Sequence, residues 1–182
     1  MVGLLLATLL LVAGGLLTWG GTFANDAVKS QLAAQKIEIP ASNGDSKATT
    51  DVTAFFKANG GKIMTTGKQA QMYADHYIGF HLSAMPTYAA TSNAARAALG
   101  ALAADATNAD LQAKATAATK LVDTVFKGQS LRGMLLNAYA FWQLGQIALI
   151  SSYAAFAGAL IFLILALMGF AHLRRTDEEA AI

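Results

Sequence analysis

Two long apolar stretches lie near the ends of the chain and predict two membrane spans. Residues 2–20 are almost entirely Leu, Ala, Val and Gly, and residues 1–25 carry no ionisable side chain. Residues 133–171 contain no Asp, Glu, Lys or Arg, and the part from 147 to 170 is the most hydrophobic. Crossing about 30 Å of hydrocarbon takes roughly 20 apolar residues, which both stretches approach or exceed.

The first stretch also has a competing interpretation, a cleaved secretory signal peptide. Thr22, Phe23 and Ala24 loosely resemble a small-residue cleavage site. Against cleavage, no Lys or Arg precedes the apolar core, and that core is longer than the usual ~7–15 residues. We therefore expect a retained span.

Residues at the ends of the spans predict their orientation. Arg174 and Arg175 follow the second span, and a basic pair in this position is typical of a cytoplasmic flank. Trp19 and Trp142 lie at the opposite ends, where interfacial Trp is common. These features predict a multi-pass protein of the cell membrane with both termini cytoplasmic: spans over 1–21 and 145–173, an extracytoplasmic domain over 22–144 and a tail over 174–182.

Hydrophobic residues at helical spacing occur through most of residues 22–144. The first span is expected to continue as a helix to about Ala33, whereas residues 52–56 form only a short apolar patch. A further helix is expected from about Thr66 to Ala84, where the nearby Pro86 prevents its continuation, and another over 93–104.

The last part of the domain predicts one helix that ends and a second that enters the membrane. Asn108 is a plausible N-cap, Gly128 a stop, and Val125 and Phe126 are expected to be buried on the face between them. Ser130 would then cap a last helix of roughly 65 Å that runs unbroken to about residue 174. The predicted fold is all-α: two transmembrane helices flank an extracytoplasmic helical bundle, and the last helix is continuous from the bundle into the membrane.

Few residues in the chain could perform catalysis. There is no Cys, which excludes disulfide scaffolds, zinc–thiolate sites, iron–sulfur clusters and cysteine nucleophiles. His76 and His81 lie about 140° apart around a helix, so with Asp75 they could form a metal site only with help from other residues. The sequence also lacks a nucleophile elbow, a phosphate loop and an HExxH motif. It therefore predicts a protein that is not an enzyme, with no catalytic, cofactor-binding or metal-binding residue.

Composition and charge exclude two further classes. Hydrophobic residues make up 55% of the chain and charged residues 13%, about half the usual share of charge. Lys and Arg are scattered singly between residues 29 and 132, which is typical of a solvated surface and not of a nucleic-acid interface. Residues 2–20 and 147–170 contain no Asp, Glu, Lys, Arg or His, so neither a proton relay nor an axial haem ligand is expected in the bilayer.

Small residues recur along one side of the second span and predict a helix-packing face. Small side chains let helix backbones approach closely in lipid, where no hydrophobic force joins helices. Steps of three and four give a line in which seven of eight residues are small: Gly145, Ala148, Ser152, Ala155, Ala159, Phe162, Ala166 and Gly169. The first span has a weaker line: Gly3, Ala7, Gly14, Thr18 and Gly21. The pattern does not tell whether the face meets the first span or another protein.

Two internal runs carry a resemblance to a known group of proteins. They are GKQAQMYADHYIGFHL at 67–82 and KGQSLRGMLLNAYAFW at 127–142. With the two spans, they resemble small actinobacterial membrane proteins that are often labelled aromatic ring-opening dioxygenases. The resemblance implies two spans around an outer helical domain and an accessory role beside envelope or respiratory complexes. The label itself requires an iron site, and the sequence shows no set of two His and a carboxylate for one.

Three function classes follow. The first is a non-catalytic accessory or structural subunit of a larger integral membrane protein assembly, with an actinobacterial respiratory supercomplex among the candidates. The second is an extracytoplasmic ligand- or lipid-binding sensor module that acts through a partner, because a tail of about nine residues after the last span is too short for an output domain. The third is an enzyme whose site the sequence does not reveal. The expected partners are a membrane complex and the lipid bilayer, without nucleic acid.

Overall fold

The computed structural model describes the backbone of residues 2–179 and the side chains of residues 2–173. The protein is all-helical, with 83% of its residues in helices and no β-strand within the described range. The elements are α1 (Val2–Gln35), α2 (Thr50–Asn59), α3 (Gly67–Met72), a π-helical segment (Tyr73–Ile78), α4 (Gly79–Ser83), α5 (Tyr88–Ala104) and α6 (Ala109–Glu179). The predicted all-α class is confirmed.

Two helices are long and apolar enough to cross a membrane. They are α1 and the part of α6 from Ala109 to Leu173. The tail expected at 174–182, with Arg174 and Arg175, lies outside the described side chains. The described chain divides into two compact units, unit 1 (residues 2–28 and 141–179) and unit 2 (residues 29–140).

Helix α6 begins after Asn108, as predicted, but it does not end at Gly128. The Asn108 side chain accepts hydrogen bonds from the backbone N–H groups of Asp110 and Leu111, so it caps the helix. The expected stop at Gly128 and restart at Ser130 are wrong, because α6 continues through both. A Cβ atom at Gly128 would lie 2.8 Å from the Leu82 side chain, so the absence of a side chain at this position leaves room for Leu82.

Unit 1 pairs the first part of α1 with the last part of α6. Gly3 lies against Ala166, Gly14 against Phe156, and Gly21 against Gly145. Because rising numbers in α1 match falling numbers in α6, the two helices are antiparallel.

The core of unit 2 forms where the end of α1, an extended segment and α2 meet. Leu32, Ile39, Phe56 and Met64 are its fully buried side chains. The Ile39 N–H donates to the Lys62 carbonyl at 3.0 Å, and the Met64 N–H donates to the Ile37 carbonyl at 2.8 Å. The apolar patch at 52–56 lies within a complete helix, α2, whose buried residues are Val52 and Phe56. Thr49 caps this helix at its start.

The helix expected near Thr66 is present but contains an irregular turn. Thr66 and Gln69 form a reciprocal capping box at its start. In the π-helical segment the backbone widens by one residue, and the Gly79 N–H reaches back to the Ala74 carbonyl. Such wide turns are rare and occur often at functional sites.

Phe126 is not a core residue, contrary to the sequence prediction. Its side chain is 55% exposed, whereas the neighbouring Val125 is 1% exposed. Consecutive helical residues point about 100° apart, so only one of the two can face inwards. The Phe126 ring instead lies beside the Tyr88 ring of α5, with 6.0 Å between centroids.

Candidate functional site

Glycine residues lie at the closest points of contact between α1 and α6 in unit 1. A Cβ atom at Gly21 would lie 2.8 Å from the carbonyl oxygen of Gly145, and one at Gly145 would lie 3.0 Å from the Cβ of Ala24. At Gly14 it would lie 2.7 Å from the Phe156 ring. These positions have no space for a side chain, so the helix backbones approach as closely as glycine allows.

The residues predicted to form the packing face of α6 mostly lie towards α1. Gly145, Ser152 and Ala159 are buried. Ala148, Ala155, Phe162 and Ala166 are half-buried. In α1, Ala7, Gly14 and Gly21 are buried, and Gly3 is half-buried. The face that the sequence left without a named partner is therefore in contact with α1 of the same chain.

Gly169 does not take part in this contact. It is exposed, and a Cβ atom there would meet nothing within 4 Å. The physical reason is the antiparallel register: Gly3 already faces Ala166, so the described part of α1 offers no residue one turn further along.

A polar contact between side chains joins the two helices of unit 1. Gln146 donates from Nε2 to Oδ1 of Asn25 at 2.9 Å. The Ser152 hydroxyl, in contrast, donates to the Leu149 carbonyl of its own helix at 2.7 Å. In apolar surroundings such amide hydrogen bonds help to fix which residues of two helices face each other.

In unit 2, an arginine of α6 holds the π-helical segment. Arg132 donates from Nη2 to Oδ1 of Asp75 at 3.0 Å and from Nε to the Ala74 carbonyl at 3.3 Å. The two runs that carry the family resemblance are thus in contact through this residue and through Leu82 against Gly128. No sequence pattern predicts this pair, because the partners are 57 residues apart and share no spacing motif.

A column of rings lies along the same helical stretch. The Tyr73 and Tyr77 centroids are 4.9 Å apart, and those of Tyr77 and His81 are 4.5 Å apart. Burial, with a smaller effect of the neighbouring Tyr77, raises the pKa of the Tyr73 phenol above its usual 10.0.

Two hollows of about 360 and 320 Å³ adjoin this stretch and share Asp75, Gly79 and Ser83. The Asn43 side chain donates to the His76 carbonyl at 3.1 Å, and His81 Nδ1 lies 2.7 Å from the Tyr77 carbonyl. Within residues 2–173, no group of three His, Cys, Asp or Glu side chains could hold a metal ion.

An apolar concavity of unit 2 lies between α5 and α6. A groove of about 600 Å³ is lined by Tyr88, Ala89, Ser92, Asn93, Ala95, Arg96, Leu99, Thr119 and Val122. We call it the α5/α6 groove. Its volume falls within the roughly 300–1,000 Å³ of small-molecule sites. A neighbouring groove of about 540 Å³ shares Leu99 and Thr119 and carries Lys120 and Asp123.

The groove exists because small residues form the contact between the two helices. Thr91, Ala95 and Ala115 are buried there. Larger apolar side chains remain at the surface of the same hairpin: Tyr88, Leu99, Leu121 and Phe126. Large apolar side chains exposed together often mark a binding surface.

Two polar side chains in the groove are incompletely satisfied by the protein. The Ser92 hydroxyl oxygen is shielded from solvent and has no hydrogen-bond partner within the described residues. The Tyr88 carbonyl, one turn earlier, already accepts from the Thr91 hydroxyl at 2.9 Å. Arg96 donates to the neutral Asn93 at 2.7 Å, and neither ion pair found among residues 2–173 includes it. A hydroxyl that is shielded from water and has no hydrogen-bond partner lowers the stability of the folded protein by about 1–3 kcal/mol.

Comparison with protein-family models, with curated proteins and with solved structures finds no match to this chain.

Proposed function

We propose that this chain is a non-catalytic, membrane-anchored binding module. Its unit 2 binds an apolar or amphiphilic ligand outside the cytoplasm and acts through a partner membrane protein. The observation that carries the proposal is the α5/α6 groove, where a mainly apolar lining includes the shielded Ser92 hydroxyl and the exposed Arg96 side chain. Ligand sites typically combine a mainly apolar lining with a few polar groups of this kind.

The contact in unit 1 is the reason to place a binding role before an assembly role. The small-residue face of α6 was the main sequence argument for a membrane partner. Gly145 and Gly21 are instead in contact within the chain, so this face is not available to a second protein while the two helices are paired.

The topology that goes with the proposal has α1 and α6 as spans, both termini in the cytoplasm and the residues between them outside. Natural absence of Cys makes this testable. Single cysteines at Ser46 and Thr176 are treated with a membrane-impermeant thiol reagent on intact cells. Labelling of Ser46→Cys alone supports the topology, and labelling of Thr176→Cys alone contradicts it.

The proposed function is tested by detergent-free extraction of the full chain in polymer-bounded membrane discs. Mass spectrometry then identifies small molecules and proteins that are retained in stoichiometric amount. A retained apolar or amphiphilic molecule, released by the bulky substitution Ala89→Trp at an exposed position of the groove lining, supports a binding module. A stoichiometric protein without such a molecule argues against it.

A second candidate function, an accessory subunit of a larger membrane assembly, is favoured by two exposed glycines. Cβ atoms at Gly15 and Gly169 would each meet nothing within 4 Å, so both positions are open to close approach by a helix of another protein. The resemblance to actinobacterial membrane proteins points to a respiratory supercomplex as the assembly. Gly169→Leu should then lower co-purification of the partner, while Leu163→Ile, on the side assigned to lipid, should leave it unchanged.

A further inference from the structure

On the basis of the proposed function, we infer that the α5/α6 groove binds a single-chain amphiphile with an anionic headgroup. The headgroup, a carboxylate or a phosphate, pairs with Arg96 beside Ser92. The hydrocarbon chain lies on the apolar lining formed by Tyr88, Leu99 and Val122.

The charge of the headgroup follows from Arg96. Arg96 is exposed, and its guanidinium donates a hydrogen bond to the neutral amide oxygen of Asn93. Asp123, the acidic residue in the lining of the neighbouring groove, is already paired with Lys127 at 2.7 Å. A guanidinium presents several donors in one plane, which suits the paired oxygens of a carboxylate or phosphate.

Ser92 adds a second polar contact at the same place. It precedes Arg96 by four residues, so both side chains lie on one face of α5. Its hydroxyl is shielded from water and has no partner within residues 2–173. An anionic oxygen at the headgroup position would accept the hydrogen bond that the protein does not supply.

The apolar part of the ligand follows from what the hairpin leaves uncovered. Buried Thr91, Ala95 and Ala115 hold α5 and α6 together, while Tyr88 and Leu99 are each about half exposed. The lining from Tyr88 to Leu99 extends roughly 16 Å along α5. A hydrocarbon chain covers such a strip and removes its side chains from water.

A single molecule fits these features better than a membrane surface does. Helices that lie on membranes carry several Lys or Arg residues beside a convex apolar face. Here the surface is concave, and Arg96 is the cation of the groove, with Lys120 in the neighbouring one. A helix of another protein could also enter a groove of this shape, and the experiment below separates that outcome.

The test uses the full chain in polymer-bounded discs and a photoreactive analogue of palmitic acid. Labelled sites are mapped by mass spectrometry, and unlabelled palmitate, lysophosphatidate or hexadecanol competes. We expect saturable labelling within residues 88–122, displaced by the two anionic competitors and at least tenfold less effectively by the neutral alcohol. Palmitate and lysophosphatidate together distinguish a carboxylate from a phosphate preference.

Three variants locate the headgroup. Arg96→Gln should raise the half-saturating probe concentration about tenfold, and Ser92→Ala about threefold, since a charged contact contributes more than a neutral one. Lys120→Gln removes the same charge from the neighbouring groove and should bind as the natural chain does. Helix content and melting temperature of each variant are measured alongside, so that loss of binding is not confused with loss of folding.

The possible failures are distinguishable. Equal binding by Arg96→Gln, or equal competition by hexadecanol, would overturn the anionic headgroup while saturable labelling still supported a binding module. Labelling confined to residues 2–28 and 141–173 would overturn both the inference and the proposed function. Displacement of the probe by a co-purified protein, and not by palmitate, would show that the groove is a protein interface and also overturn the inference.

Discussion

Units 1 and 2 bury opposite kinds of side chain. In unit 1 the buried residues within the described range are Gly, Ala and Ser apart from Val28, while most of the large apolar side chains are exposed. In unit 2 the fully buried positions include Phe56, Leu32 and Ile39. Small residues can join helices in lipid, whereas in water large apolar side chains are buried, so the difference is the one expected if unit 1 lies in the membrane as proposed.

The α5/α6 hairpin belongs to unit 2 but follows the pattern of unit 1. Small residues meet between its helices, and Tyr88, Leu99 and Phe126 lie outside. Outside the membrane, where we propose that unit 2 lies, this arrangement leaves apolar surface in contact with water. The contrast is the reason to expect an apolar occupant on this hairpin and not on the well-filled core around Phe56.

The largest effect should come from removing a large side chain from the core of unit 2. Phe56 is 0% exposed, so Phe56→Ala should cost about 3–5 kcal/mol. Phe126→Ala removes the same ring from an exposed position and should cost less than about 1 kcal/mol. Hydrogen exchange of the α2 amides measures the first effect. If both variants lost the same stability, the division between buried and exposed rings would be wrong.

In unit 1 the largest effect should come from adding atoms. Gly21→Val places a branched side chain where a Cβ already lies 2.8 Å from the Gly145 carbonyl, and such overpacking costs about 1–3 kcal/mol. Gly15→Val adds the same atoms where nothing lies within 4 Å, so it is the matched control.

The readout for unit 1 is a disulfide between Gly3→Cys and Ala166→Cys. A Cβ at Gly3 would lie 3.1 Å from that of Ala166, close to the ~3.5–4.5 Å of disulfides. Gly21→Val should slow cross-linking several-fold relative to Gly15→Val. Equal rates would mean that the glycine contact does not hold the helices together.

Sequence patterns locate features that depend on neighbours along one helix. The small-residue line of α6 contains the buried positions Gly145, Ser152 and Ala159, because steps of three and four follow one face whatever the partner. Gly128 misleads because its intrinsic cost of about 1 kcal/mol in a helix is outweighed by tertiary contacts. The Arg132–Asp75 pair and the unpaired Ser92 hydroxyl depend on distant elements, so no local pattern encodes them.

A smaller effect should come from the ion pair that holds the π-helical segment. Arg132→Gln removes the contacts to Asp75 and the Ala74 carbonyl. Both charged side chains are about one-third exposed, so solvent screening reduces the cost to about 1 kcal/mol. Faster exchange of the Gly79 amide, which bonds to Ala74, is the expected result.

The control is Lys127→Gln, which breaks the more exposed pair with Asp123 and should change stability by less than about 0.5 kcal/mol. If Lys127→Gln lowered stability more than Arg132→Gln does, Arg132 would not hold the π-helical segment in place.

The smallest effect should appear only in alkali and concerns Tyr73. Burial and the adjacent Tyr77 raise the pKa of its phenol in the folded protein above the unfolded value of 10.0. Above pH 10 the unfolded chain therefore releases this proton before the folded chain does, so the stability contributed by Tyr73 is present below pH 10 and is lost as the pH rises through the folded pKa. Absorbance at the phenolate wavelength should show a late-titrating component among the five tyrosines that Tyr73→Phe removes and Tyr88→Phe leaves in place. A late component that survived Tyr73→Phe would show that the ring column of unit 2 is open to water, which would weaken the contrast between its filled core and its uncovered hairpin.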